Sequence, residues 1–195
     1  RQLASAQTKF NRIVQCGTQS RSSPSLQAAV EYVRSGQLGK IKHAIGTCYK
    51  PRKSIGKLDQ PLQISKQIDY DLWCGPAEKR SLFRPQLHYD WHWDFNTGNG
   101  DMGNQGIHQM DLCRWALGES ALPKRVRSMG GRVGYVDDAE TPNTMVVQYD
   151  YETAPLVFEV RGLPAGPKAK GMDKYRGASI GIVIECEEGY LVMHS

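Results

Sequence analysis

The sequence lacks any apolar run near the roughly 18 to 20 residues that span a bilayer, and it has no Cys-x-x-Cys pair, no block of basic residues and no evident internal repeat. Each absence excludes a class of protein. Without an apolar span, or a signal peptide ahead of the first helix, nothing anchors the chain to a membrane. Cys16, Cys48, Cys74, Cys113 and Cys186 are odd in number and widely spaced. This argues against a disulfide framework or structural zinc and points to a reducing, cytoplasmic compartment. The 25 Lys and Arg against 20 Asp and Glu leave a formal charge of +5, but the cations are scattered singly. A nucleic-acid surface needs a basic stripe, so the surplus fits small anionic or polyhydroxylated ligands better. An initiator methionine is also missing: the chain opens at Arg1 inside a helical pattern and reads as a fragment.

With 195 residues, 39% of them hydrophobic, the chain can bury one sizeable core, or one domain and part of another. "RQLASAQTKFN" sets Leu3, Ala6 and Phe10 on one helical face, and "RIVQCGTQ" follows as a short strand. One helix and one strand cannot cover each other's apolar faces, so this pair belongs to a sheet whose other strands lie upstream. "SSPSLQAAVEYVRSGQLGK" predicts a helix capped by Ser23, with Pro24 in its first turn and Gly36 or Gly39 at its end. "KIKHAIGTCYK" alternates as a strand, and Pro51 to Pro85 has little period, the mark of a functional insertion or an oligomer arm. Strands are predicted in "KRVRSMGGRVGY", "TPNTMVVQYDY" and "PLVFEVRGL", a hairpin in "IGIVIECEEG" and "YLVMHS", and a mobile loop near "PAGPKAKG". Successive strands with helices to one side indicate an α+β domain with an open, largely antiparallel sheet.

Chemistry concentrates in "GNGDMGNQGIHQMDLCRW", residues 98–115. Wound as one helix, Asn104, His108, Asp111 and Trp115 share a stripe, while Ile107, Met110, Leu112, Cys113, Ala116 and Leu117 leave little room for a solvated side. Two readings of His108 stand. It is a core histidine satisfied by Asp111 or a backbone carbonyl, or a general acid/base on a substrate cleft. The glycines at 98, 100, 103 and 106 allow close backbone approach to a ligand. Upstream, "LHYDWHWDF" sets His88, His92, Asp90 and Asp94 among Tyr89, Trp91 and Trp93. That cluster reads as packing, as a wall on which a sugar or nicotinamide ring stacks, or as an imitation of a metal site; we assign no metal. "CYKPRKSIGK" gathers Lys50 and Arg52 near Lys53 and Lys57, a solvated loop or a clamp for anions and hydroxyls.

"VQCGTQSRSSP", "GTCYKPRKSIGK", "DYDLWCGPAEKR", "HYDWHWDFNTGNGDMGNQGIHQMDLCRW" and "DDAETPNTMVVQYDYETAPLVFEVRG" together resemble the Gfo/Idh/MocA oxidoreductases, in the family's order along most of the chain. The resemblance implies that residues 1–19 are the last helix and strand of a Rossmann domain for NAD or NADP. Residues 20–195 are then the C-terminal domain, incomplete at its end, whose sheet shapes a substrate cleft and pairs protomers into a homo-oligomer. It implies a sugar, cyclitol or polyol as substrate and no membrane or nucleic-acid partner. His108 matches the family's proton-transferring histidine. The position four residues earlier, an Asp in many members, is Asn104 here, and an amide cannot ionise as a carboxylate does. Asn104 and Asp111 are the expected partners of His108. Lys50, Arg52, Trp91, Trp93 and Arg161 are expected at the cleft, and Gln19 and Arg21 on the cofactor side. The chain by itself is expected to bind no cofactor. A non-catalytic sugar-binding or oligomerisation module is the alternative.

Overall fold

All the predicted strands but the first pair into one sheet of six, in the order β2-β3-β4-β1-β5-β6. The computed structural model describes residues 2–166, 168–169 and 171–194. Arg1 at the head of the first helix, Pro167 and Lys170 of the predicted mobile loop, and Ser195 after the last strand lie outside the described residues. The strands are β1 (Ile41–Tyr49), β2 (Val126–Gly131), β3 (Thr144–Tyr149), β4 (Leu156–Arg161), β5 (Ile180–Cys186) and β6 (Tyr190–His194). The helices are α1 (Gln2–Phe10), α2 (Pro24–Arg34), α3 (Tyr70–Cys74), α4 (Gly100–Asn104) and α5 (Gly106–Leu117), with short 3-10 turns at Gln19–Ser22 and Asp90–Trp93. Only β1 and β4 pair in parallel; the other neighbours are antiparallel. This is the α+β architecture with an open, largely antiparallel sheet.

The period of two in β4 sends Leu156, Phe158 and Val160 to one face, in register with Ala44, Gly46 and Cys48 of β1. Ile182 and Ile184 of β5 extend that face, which packs under Leu112, Cys113 and Ala116 of α5 and Val30 and Val33 of α2. Close approach of α5 depends on two glycines: a Cβ on Gly46 or Gly106 would fall 2.9 Å from the Phe158 ring. On the opposite face Tyr49 and Glu159 bond at 2.5 Å, and Arg161 donates to Glu159 and Asp173, both at 2.6 Å. Arg176 donates to Glu185 at 3.0 Å while lying 4.4 Å from the centre of the Tyr190 ring.

Three local expectations are corrected. Residues 12–18 form no strand, and Ile13 is 97% exposed. A strand is stable only when a neighbour takes its N–H and C=O groups, and none of the six strands runs beside it. Ser23 does precede α2, with Pro24 in its first turn, but its hydroxyl pairs with Ser25 at 2.9 Å instead of capping. The insertion over 51–85 contains one short helix, α3, capped by Asp69, which accepts from the Leu72 N–H at 3.0 Å. No helix among the described residues is long and apolar enough to cross a membrane.

Candidate functional site

The stripe expected along residues 104–115 is broken in the structure. Gln105 separates α4 from α5, and the His108 N–H reaches back only three residues, to the Gln105 carbonyl at 3.2 Å. This tightened turn rotates Asn104 away into solvent, where it makes no hydrogen bond to His108. His108 lies in the first turn of α5, partly buried. Its Nδ1 is buried without a hydrogen-bond partner among the described residues. Asp111 does not serve His108 either. Its carboxylate takes the Arg21 guanidinium in a fork of 2.7 and 2.9 Å, and Arg21 lies 5.1 Å from the centre of the Trp115 ring. The structure therefore joins Arg21, expected on the cofactor side, to the face of α5 that carries His108. Gln19 opens the same 3-10 turn as Arg21.

Arg52 and Trp93, expected on the cleft wall, are buried, at 7% and 3% exposure. Arg52 forks onto the fully buried Asp101 in α4, with one bond at 2.9 Å, and also donates to the Tyr89 hydroxyl at 3.0 Å. Burial alone would favour the neutral guanidine, but the hydrogen bonds and charge of Asp101 outweigh it and raise the Arg52 pKa. The Trp93 ring lies between Arg52 and Arg132, 5.2 and 5.4 Å from its centre. Arg132 in turn holds Asp137 at 2.5 and 3.1 Å. Burial opposes the charge of Asp137, yet Arg132 and the Ile55 N–H bring its pKa below the usual carboxylate value. Gly100, at φ +63°, presses against Thr141, whose side chain leaves no room for a Cβ.

The metal-like residues do not converge. His88 is exposed, Asp94 binds Arg80 and lies 3.5 Å from Arg84, and the Nδ1 of the buried His92 meets the Tyr89 carbonyl. Among the described residues no group of three or more His, Cys, Asp or Glu side chains is placed to hold a metal ion. Burial, helped by nearby Arg52, lowers the His92 pKa from 6.5 despite Asp101 and Asp90. The fold therefore accepts neutral His92, and the unfolded chain takes up its proton first as pH falls. Stability present above about pH 6.5 should decline below it. Urea unfolding at pH 7.5 and 5.5 is expected to show a steeper loss for this chain than for His92→Gln; equal slopes would remove His92 from the account.

Lys50 lines a cavity of about 440 Å³ with Tyr49, Pro51 and Lys174. Arg161, committed to Glu159 and Asp173, lies 4.6 Å from the centre of the Tyr49 ring. Trp91 is 41% exposed and lines a different cavity. Asp101 and Arg132 escaped the sequence reading. An Asp amid the glycines of "GNGDMGN" was the available signal for the first; nothing local marked the second.

Residues 78–192 match the model of the GFO/IDH/MocA C-terminal domain. The chain belongs to the GFO/IDH/MocA family. Its fold is similar to that of GenD2 from gentamicin A biosynthesis, in complex with NAD, at 18% identity and a TM-score of 0.63, covering 99% of this chain and 43% of that one. It is similar also to the WlbA dehydrogenase from Bordetella pertussis in complex with NADH and UDP-GlcNAcA, at 16% identity and a TM-score of 0.63, covering 97% and 44%. A third is levoglucosan dehydrogenase in complex with NADH and levoglucosan, at 18% identity and a TM-score of 0.57, covering 93% and 40%. The chain thus spans less than half the length of these solved structures. No curated protein sequence matches it. GenD2 thus holds NAD, and the two named dehydrogenases hold NADH together with UDP-GlcNAcA or levoglucosan.

Proposed function

We propose that residues 20–195 form the substrate-side domain of an NAD(P)-dependent oxidoreductase acting on a sugar, cyclitol or related polyol, with residues 1–19 closing its dinucleotide-binding domain. One observation carries this reading: His108, at the position where the resemblance implies the family's histidine, stands partly buried in the first turn of α5 with a buried Nδ1 that has no hydrogen-bond partner among the described residues. A nicotinamide supplies the hydride acceptor in such chemistry. The part of this chain is to move the hydroxyl proton and orient the carbon. Nε2 of His108 takes that proton, in hydrogen-bond reach of a bound hydroxyl. Asn104 is exposed at the end of α4, and Asp111 acts through Arg21, holding that guanidinium against α5.

The described residues fit a supporting role toward the dinucleotide and not its cradle. The chain holds no strand followed by a glycine-rich turn and helix, and α1 buries none of its residues, with Leu3 72% and Phe10 61% exposed. That apolar surface suits packing against a domain beyond this chain. Gln19 and Arg21 are placed next to α5, the side from which a cofactor would meet His108. Trp91 remains a candidate substrate contact, and Arg52 and Trp93 act from behind the wall, whereas Lys50 and Arg161 lie with Tyr49 on the sheet face opposite α5 and away from His108. The sheet face bearing Tyr49, Glu159, Arg161 and Tyr190 suits a second protomer, and the five free cysteines suit a reducing compartment such as the cytoplasm.

The test compares two proteins. Residues 1–195 alone are expected to show no dehydrogenase activity and no tight NADH binding, whereas a full-length protein reduces NAD or NADP with sugars or cyclitols as substrate. Turnover by the 195-residue chain would overturn the division of labour. A full-length protein that binds no NADH at millimolar concentration would favour a non-catalytic sugar-binding module.

A further inference from the structure

A cavity of about 480 Å³ lies on the insertion, framed by Trp73 and Trp91 and lined further by Cys74, Pro76, Ala77, Asn96 and Thr97. This falls within the roughly 300 to 1,000 Å³ of small-molecule sites. The walls are fixed from behind. Trp73 stacks on Tyr70 at 5.6 Å between centres and 21° between planes, and the Tyr70 hydroxyl donates to the Arg80 carbonyl at 2.7 Å. Trp91 meets the buried His92 edge-on at 5.7 Å, and the Thr97 hydroxyl donates to the Trp91 carbonyl at 2.6 Å. The Asn96 amide ties the two walls together, donating to the Glu78 carbonyl at 2.8 Å and accepting from its N–H at 3.0 Å. The side chains of Asn96 and Thr97 thus each already hold a backbone partner.

Beyond these, the lining supplies two indole rings, each carrying an N–H donor. Neither Trp73 nor Trp91 donates its indole N–H to a partner among the described residues. Apart from the thiol of Cys74, the lining contains no ionisable side chain. An occupant is therefore neutral, flat on one face and rich in acceptors at its edge. A pyranose ring meets all three conditions, its C–H face lying on indole and its hydroxyls accepting from the N–H groups. We propose that Trp73 and Trp91 form a subsite for a neutral pyranose ring of a glycoside. The choice of ligand class rests on the carbohydrate reading above; the cavity and its aromatic walls do not.

The chain has four tryptophans, and two of them frame this cavity, so binding is readable without turnover. Cellobiose and maltose titrated into the 195-residue chain should change the tryptophan emission saturably and receive saturation transfer from indole protons to pyranose C–H groups. Trp73→Ala and Trp91→Ala should each weaken that binding at least tenfold, with near-ultraviolet circular dichroism and the more conservative Trp91→Phe checking that the fold is kept. No saturable response to either disaccharide, or tighter binding of nicotinamide or phenol than of sugar, overturns the proposal. The two readings fail separately. A full-length protein that oxidises sugars while this cavity binds none refutes only the subsite; saturable sugar binding here without any full-length turnover refutes only the oxidoreductase reading.

Discussion

Replacing His108 by Asn in a full-length protein is expected to lower kcat by roughly 10²- to 10⁴-fold, the usual contribution of a positioned acid or base, with KM changed far less. Asn keeps a polar side chain in the first turn of α5 but cannot carry a proton between states. Added imidazole should restore part of the lost rate, a response that a purely structural role for His108 would not give. The companion variant Asn104→Asp restores the carboxylate that many family members place there. Asn104 is exposed and makes no bond to His108, so this change is expected to move kcat by less than the loss from His108→Asn. Steady-state kinetics on the three proteins decide the matter. Full activity in His108→Asn would remove the residue from the mechanism.

The second large effect concerns the fold behind that helix. Asp101 is fully buried, and Arg52 has one bond to it at 2.9 Å and a second, shorter one. Removing one member of such a pair leaves the other charged and unsolvated, at a cost of about 3 to 5 kcal/mol. Asp101→Ala is therefore expected to lower the melting temperature by roughly 6 to 20 °C, taking about 2 to 4 °C per kcal/mol for a chain of this size. The double variant Arg52→Met, Asp101→Leu removes both charges and should recover much of the loss, because desolvation of the pair consumes most of its attraction. Differential scanning calorimetry measures both. A double variant no better than Asp101→Ala would mean that the bond geometry, and not the stranded charge, sets the cost.

Arg52 illustrates how far residue types alone could lead. "CYKPRKSIGK" marked it as a cation near a proline, which reads as a clamp for a ligand. In the fold that cation is spent on Asp101, Tyr89 and the face of Trp93. The partners lie 37 to 49 residues away in sequence, and no local pattern encodes a pairing at that separation. Asp111 shows the same limit on one helix. Its spacing of three from His108 suggested a partner, but Arg21, 90 residues distant, holds both of its oxygens.

The sheet was legible because alternation is a local property. Leu156, Phe158 and Val160 declare a buried face by their period alone, whichever strand lies beside them. The short apolar run in "RIVQCGTQ" announced a buried strand that does not form, since a ladder needs a neighbour and the run says nothing about whether one is supplied. The Trp73 and Trp91 cavity was half visible: the aromatic cluster drew attention to Trp91, but its partner comes from α3 across the insertion.

By itself, then, the sequence determined the elements that follow from periodicity and turn chemistry, the α+β class, and His108 as the histidine on which a proton-transfer role would rest. The tertiary structure decided which charges are free to meet a ligand. Coulombic and hydrogen-bond partners are chosen by proximity in space, and burial multiplies the cost of leaving any of them unpaired. Arg52 and Asp111 thus became fixtures of the scaffold, while the buried Nδ1 of His108 kept no partner among the described residues.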